Sequence, residues 1–299
     1  MDLIHPQLAA FLAVLEEGSL EKASQRLSVT PSAISQRIKA LEDRLGQLLV
    51  IRQVPCRTTP AGELLLRHVR PMQILEKEVL AEFLPEQSSK DVTKPMAIAV
   101  NHDSLVTWFL NALSSLNKQH GYFFDINVDD QDHTIKLLRE GTVIGAVTSK
   151  ATPLQGCDIK TLGKMRYQAI ASPDFYHRYF NNGVNRESLN QSPMIVFNRK
   201  DELQWKFVCL ITQSPIHPPL HYLPTATGFI EAAKIGLGWC LAPETLIQTE
   251  LEKGNIVLIA PEYFLDVTLY WQYPSIHSET FQNLTAAISQ ASSRTLRQL

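Results

Sequence analysis

The sequence predicts an α+β multidomain protein: a small helical domain closed by a strand hairpin, one long helix, and a larger two-lobed α/β region. Three observations predict this. Residues 19–46 hold two short helical patterns split by only three residues. Residues 60–83 keep a helical period over a stretch too long for a small domain to bury. Beyond residue 95, strand-length apolar runs alternate with helical patterns. A length of 299 residues gives room for two or three compact units. The 44% hydrophobic and 19% charged fractions are ordinary for a soluble globular protein.

Residues 6–17 form a first helix, with Leu8, Phe11, Leu12 and Leu15 packing beneath the pair that follows. The first member of the pair starts at Ser19, a good N-cap, with Ala23 and Leu27 on its inner face. Ser28, Val29 and Thr30 make the break. Thr30 caps the second helix, and Pro31 takes its first position, where a missing N–H costs nothing. Ile34, Ile38, Leu41 and Leu45 recur as one buried stripe, and Gly46 ends the helix. Ser32, Ser35, Gln36, Arg37 and Lys39 face outward, able to read base edges or neutralise phosphates. Two helices, a tight turn and a polar start suit a helix-turn-helix DNA reader. Spacing alone would also fit an ordinary helical hairpin with a solvated face.

After Gly46, Leu48–Ile51 reads as a short strand and Val54–Arg57 as a turn into a second, a wing carrying Arg52 and Arg57. Arg57 there serves a phosphate or the minor groove, or is a solvated loop arginine. The net charge of −2 and pI near 6.5 give no bulk sign of nucleic acid. Locally, residues 31–59 set Arg37, Lys39, Arg44, Arg52 and Arg57 against Glu42 and Asp43.

In the long helix Leu65, Met72 and Val79 repeat at seven, flanked by Val69, Leu75, Leu80 and Phe83. A helix of this size is about 36 Å long and is expected to pair with a second copy. Pro71 predicts a kink or local unwinding near Arg67–Pro71. Residues 85–94 lack apolar period and read as a hinge. The predicted units are 1–59, a linker helix 60–84, the hinge, a first lobe of 95–164 with 267–299, and a second lobe of 165–266. Helices are predicted at 104–118, 134–140, 174–180, 201–212, 228–236, 244–253 and from Ser278.

Other classes fit poorly. Cys56, Cys157, Cys209 and Cys240 are far apart with no Cys-x-x-Cys pair, which argues against a zinc site or disulfide framework and fits a reducing cytosol. The N-terminus has no basic leader and no apolar run reaches membrane-spanning length, so a cytoplasmic location is expected. There is no Gly-x-Ser-x-Gly, P-loop, His-Glu-x-x-His or Gly-x-Gly-x-x-Gly, so neither an enzyme nor a bound cofactor or metal is expected. A transport-type solute-binding protein would not carry a helix-turn-helix.

The run Ala-Ser-Gln-Arg-Leu-Ser-Val-Thr-Pro-Ser-Ala-Ile-Ser-Gln-Arg-Ile-Lys-Ala-Leu-Glu, followed by Leu-Gly and Leu49–Arg52, resembles the N-terminal domain of LysR-type transcriptional regulators. Wings of that family usually carry Phe where this chain has Val50, a small packing change. Asn-His-Asp-Ser-Leu-Val-Thr-Trp (101–108), Val-Asp-Asp (128–130), Gly-x-Val-x-Gly-Ala-Val (141–147) and Leu-Tyr-Trp (269–271) narrow the resemblance to the ArgP/LysG-like branch. The resemblance implies a winged helix-turn-helix, a linker-helix homodimer or dimer of dimers, and a periplasmic-binding-protein-like effector domain with its ligand between two lobes. It implies binding to an interrupted dyad in double-stranded DNA, with RNA polymerase as a further partner. It also implies a response to lysine or arginine and control of amino acid export. One departure concerns Thr227, which stands where the branch tends to have Glu and so puts the ligand's identity in question. The runner-up is an origin- or nucleoid-binding architectural protein with little ligand response.

The residues themselves offer effector candidates. Asp103, Ser104 and Thr107 open a helix directly after a strand, a place for a carboxylate or for simple capping. Asp129 and Asp130, in a cluster with Asp125 and Asp132, would hold a cation or merely form an acidic turn. Thr148, Asn198, Asp201 and Thr227 complete the set, with Asp201 equally readable as an N-cap. Trp108 and Trp271 read as core. Leu65, Met72, Leu75 and Val79 are the dimerisation candidates.

Overall fold

The computed structural model describes residues 3–83, 95–129 and 134–298. The hinge assigned to 85–94 lies outside the described residues. Three helices open the chain: α1 (Pro6–Glu17), α2 (Leu20–Arg26) and α3 (Pro31–Leu45). Their starts follow from local chemistry. Ser19 Oγ accepts from Lys22 N at 3.1 Å and Thr30 Oγ1 from Ala33 N at 3.2 Å, each satisfying a donor with no helical partner. Phe11, Leu12, Val14, Ala23, Ile34 and Ile38 are fully buried in one cluster, each large side chain contributing about 1.5–3 kcal/mol. Leu45, expected on the buried stripe, is 47% exposed. It lies in the last turn of α3, next to the Gly46 that ends the helix.

The wing is β1 (Val50–Ile51) against β2 (Arg57–Thr58), antiparallel, with Ile51 opposite Arg57. Its first strand is shorter than Leu48–Ile51. Next comes α4 (Pro60–Phe83). Gly62 lets α4 approach the wing, since a Cβ there would sit 2.1 Å from the Leu49 carbonyl oxygen. The helix runs unbroken through Pro71, which corrects the expected unwinding. It is held on both sides of the proline. Gly62 abuts Leu49, and Glu78 accepts from Ser278 Oγ at 2.6 Å and Thr280 N at 2.8 Å.

From residue 96 come β3 (Met96–Val100), a short helical turn (His102–Ser104), a π-helical turn (Leu105–Phe109) and α5 (Leu110–His120). Where one helix over 104–118 is expected, the structure thus has three segments. Then follow β4 (Phe124–Val128), α6 (Thr134–Arg139), β5 (Gly145–Thr148) and the long β6 (Cys157–Ala171). The chain continues through α7 (Pro173–Tyr179), α8 (Arg186–Gln191), β7 (Met194–Val196), α9 (Leu203–Thr212) and β8 (Leu220–Tyr222). It ends with α10 (Ala226–Lys234), β9 (Cys240–Pro243), α11 (Glu244–Glu252), β10 (Val257–Leu258), β11 (Leu265–Pro274) and α12 (Glu279–Ser293). The helix α8 has one buried apolar residue, Leu189, and rests on an Asn185 capping box, so no hydrophobic period announces it.

The chain divides into two compact units. The first holds residues 1–100, 115–160 and 271–287; there β3 pairs in parallel with β4 and β5. Gly145 is essential to it, because a Cβ would meet the Trp271 ring at 2.1 Å. The second holds 101–114, 161–270 and 288–299, with β6 antiparallel to β9 and β10 and β7 parallel to β8. The grouping places 101–114 and 288–299 with the second unit. Asp103 bonds Tyr167, and Arg297 bonds both Lys164 and Glu244.

Candidate nucleic-acid interface and ligand site

On α3, Pro31, Ser32, Gln36 and Lys39 are exposed, while Ser35 and Arg37 are half-buried. Ser32, Gln36 and Lys39 follow one another at helical spacing and share a face. Arg57 stands exposed on β2. Arg52 is engaged with α3: its Nη1 donates to Ser35 Oγ at 3.2 Å and its Nη2 lies 3.6 Å from Glu42 Oε2. It ties the wing to the reader helix. Sequence reasoning missed Glu42, which is 6% exposed and accepts from Leu49 N at 2.8 Å and Val50 N at 3.3 Å. A glutamate in a helical run gives no signal of such a role. Ser19 and Thr30 are occupied as caps.

Along α4, Met72 is 46% and Val79 42% exposed, with Leu64 and Phe83 more so. Leu75 is half-buried. Leu65 packs partly against the N-terminal core, so Leu64 rather than Leu65 extends the exposed apolar series.

In the second unit three candidate stretches converge. The His102 ring lies 6.4 Å from Phe197, and Phe197 lies 6.5 Å from Phe229 on α10. Residues 101–107, the loop 197–201 and the start of α10 therefore adjoin. Within them, Asn101 is 2% exposed and Ser104 fully buried. Both polar atoms of the Asn101 side chain, His102 Nδ1, Ser104 Oγ and Trp108 Nε1 have no hydrogen-bond partner among the described residues. Buried polar groups are normally partnered, and leaving one alone costs about 1–3 kcal/mol. The π-helical turn sits here too, a feature often found at functional sites.

Other candidates have local duties. Thr107 Oγ1 donates to the Asp103 carbonyl at 2.6 Å. Asp201 is buried and accepts from Phe197 N and Leu203 N, each at 3.0 Å; burial pushes its carboxyl above the ordinary value despite those bonds. Asn198 Oδ1 accepts from Lys200 N at 2.7 Å. In the first unit Asp129 is exposed, and Thr148 is fully buried with its hydroxyl accepting from Lys150 N at 3.2 Å. Asp130 lies outside the described residues, as does the side chain of Thr227. Trp108 and Trp271 are core, with no exposed surface. No group of three or more metal-ligating side chains occurs among the described residues. Among the same residues, no helix is long and apolar enough to cross a membrane.

A winged reader, a long helix and α/β units with a buried, unsatisfied polar junction define a DNA-binding regulator with its own ligand-binding region. Residues 5–63 match the bacterial regulatory helix-turn-helix protein model of the lysR family, and residues 91–293 match the LysR substrate binding domain. The chain belongs to the LysR family of transcription regulators, a family of non-enzymes. It is 38% identical to the lysine export transcriptional regulatory protein LysG of Corynebacterium glutamicum, over 97% of this chain and 98% of that one. The crystal structure of ArgP from Mycobacterium tuberculosis superposes with a TM-score of 0.89 at 41% identity, covering 99% of this chain and all of that one. Full-length LysG from Corynebacterium glutamicum with bound effector Arg gives 0.79 at 37% identity, covering 98% and 100%.

Proposed function

We propose that this chain is a dimeric regulator that binds an interrupted dyad in DNA and answers to a basic L-amino acid, arginine or lysine. In this reading Ser32, Ser35 and Gln36 meet base edges, with Pro31 packed nearby, and Arg37, Lys39 and Arg57 meet phosphates or the minor groove. Arg52 acts by holding the wing to α3. The exposed apolar series of α4, with Met72, Leu75 and Val79, pairs with a second copy. The genes controlled include an amino acid exporter, as the name of the Corynebacterium glutamicum relative suggests. The protein works in the cytoplasm, where the DNA is.

One observation carries the ligand reading. Of the nine buried side-chain nitrogen and oxygen atoms without a partner among the described residues, five belong to residues 101–108. An α-amino acid brings the donors and acceptors that such a junction lacks. The arginine bound by a 37%-identical relative supports the choice of ligand. Asp201 and Asn198 shape the adjoining loop.

Selection from random duplex DNA with the full-length protein, with and without arginine, tests the reading. It should enrich two inverted half-sites about one or more helical turns apart, with an affinity that changes when arginine is added. Enrichment of no motif and no change with arginine would leave an architectural DNA binder.

A further inference from the structure

In the reader domain one side chain joins the wing to two places on α3. Arg52, just past β1, donates from Nη1 to Ser35 Oγ at 3.2 Å, and its Nη2 lies 3.6 Å from Glu42 Oε2. Ser35 and Glu42 stand two turns apart on α3, so it takes the fork of a guanidinium to reach both. Glu42 makes this arrangement hard to leave. Its side chain is buried, and its Oε1 is already taken by Leu49 N and Val50 N. An Arg52 that swung out to a phosphate would leave a buried carboxylate without its counter-ion. Ser35 is half-buried and makes no other hydrogen bond among the described residues. Guanidinium nitrogens only donate, so the serine oxygen accepts here and its proton points elsewhere. A cation on one lone pair also weakens the other as an acceptor and strengthens the O–H as a donor.

We propose that Arg52 is a positioning residue for base reading: it presents Ser35 to DNA as a hydrogen-bond donor. This rests on the base-edge contact given to Ser35 above and adds the polarity of that contact and the residue that sets it. In the major groove a donor is matched by N7 of a purine, O6 of guanine or O4 of thymine, and is refused by the amino groups of cytosine and adenine. Ser35 then selects for an acceptor at one base, and Arg52 shapes the sequence preference without touching DNA.

The test uses the full-length protein and the duplex it enriches from random DNA, with single acceptors removed from one half-site: 7-deazapurines for N7, 2-aminopurine for O6 and 5-methyl-2-pyrimidinone for O4. One such change should weaken the parent about tenfold more than it weakens Ser35→Ala, the scale of one lost hydrogen bond. Arg52→Met keeps an apolar stem and removes the donors. It should bind the enriched duplex about tenfold more weakly than the parent and be as indifferent to that change as Ser35→Ala. Its affinity for unrelated duplex and its salt dependence should match the parent's. A salt slope smaller by about 0.9 in Arg52→Met overturns the proposal, because it marks a phosphate contact. An Arg52→Met protein that keeps the parent's sensitivity overturns it too, as does a parent that no acceptor removal affects more than Ser35→Ala. If melting curves show that Arg52→Met does not fold, Arg52→Lys decides by the same comparison, since its point charge can stay with Glu42 but cannot also hold Ser35. Ser35→Ala binding the enriched duplex as tightly as the parent overturns the base contact itself, and this assignment with it.

Discussion

The reader domain and the junction at 101–108 treat polar side chains in opposite ways. From residue 3 to 58, no buried side-chain nitrogen or oxygen lacks a partner among the described residues. Ser19 and Thr30 cap helices, Glu42 takes two backbone N–H groups, and Ser32, Gln36 and Arg57 wait in water. At 101–108 the Asn101 amide, His102 Nδ1, Ser104 Oγ and Trp108 Nε1 are buried with no partner among the described residues. We attribute the difference to the two kinds of partner proposed. A surface that meets a rigid polyanion can keep its groups hydrated until contact. A site that encloses a small ligand is desolvated in advance, at about 1–3 kcal/mol per orphaned group, and the ligand restores the missing bonds.

The largest test separates the regions outright. Ile38→Asp puts an unpaired carboxylate at a position with no solvent exposure, and should cost about 4 kcal/mol or more. DNA binding should vanish while calorimetry still detects arginine. Loss of both would mean the regions are not independent. A smaller change keeps the fold: Gln36→Ala should weaken specific DNA binding by about 1–3 kcal/mol, with non-specific affinity and arginine binding unaltered.

The contrast sharpens with two hydroxyls. Thr30→Ala removes a cap and should cost about 1 kcal/mol of stability. Ser104→Ala removes a hydroxyl without a partner among the described residues, so the ligand-free protein should melt at the same temperature or higher while arginine binds more weakly. A lower melting point for Ser104→Ala would show that its hydroxyl already has a partner.

The α4–α12 joint lies between the extremes and should give the smallest effect. Burial would raise the Glu78 carboxyl, yet bonds from Ser278 and Thr280 hold it below the ordinary glutamate value of 4.5. A depressed folded-state value stabilises the protein fully above about 4.5 and loses that contribution as pH falls through it. The melting difference between parent and Glu78→Gln, on the order of 1 kcal/mol at pH 7 for a half-exposed group, should shrink toward pH 3.5.

What the sequence made legible follows the same division. Caps, Pro31 and the Ile34–Ile38–Leu41 stripe are local patterns, and they correctly predict the reader's helices and its exposed face. The length of α4 was legible for the same reason. Long-range partners were not: nothing in the local pattern joins Glu78 to Thr280, Tyr167 to Asp103, or Glu42 to Leu49. Asp201 could be read as a ligand or a cap, and its bonds to Phe197 N and Leu203 N give it a local loop role. Periodicity found the strand before residue 101 but not the π-helical turn after it, because a π-turn shifts the register by one residue.

We propose that residues 101–108 seat a basic amino acid. Thermal denaturation of the full-length protein with arginine, lysine, citrulline, glutamate or leucine measures it most directly. A ligand at 100 times its Kd adds about 2.7 kcal/mol to the native state. Arginine and lysine should raise the melting temperature in a dose-dependent way, with the others well behind. An equal rise with glutamate or leucine, or none with either basic amino acid, would contradict it.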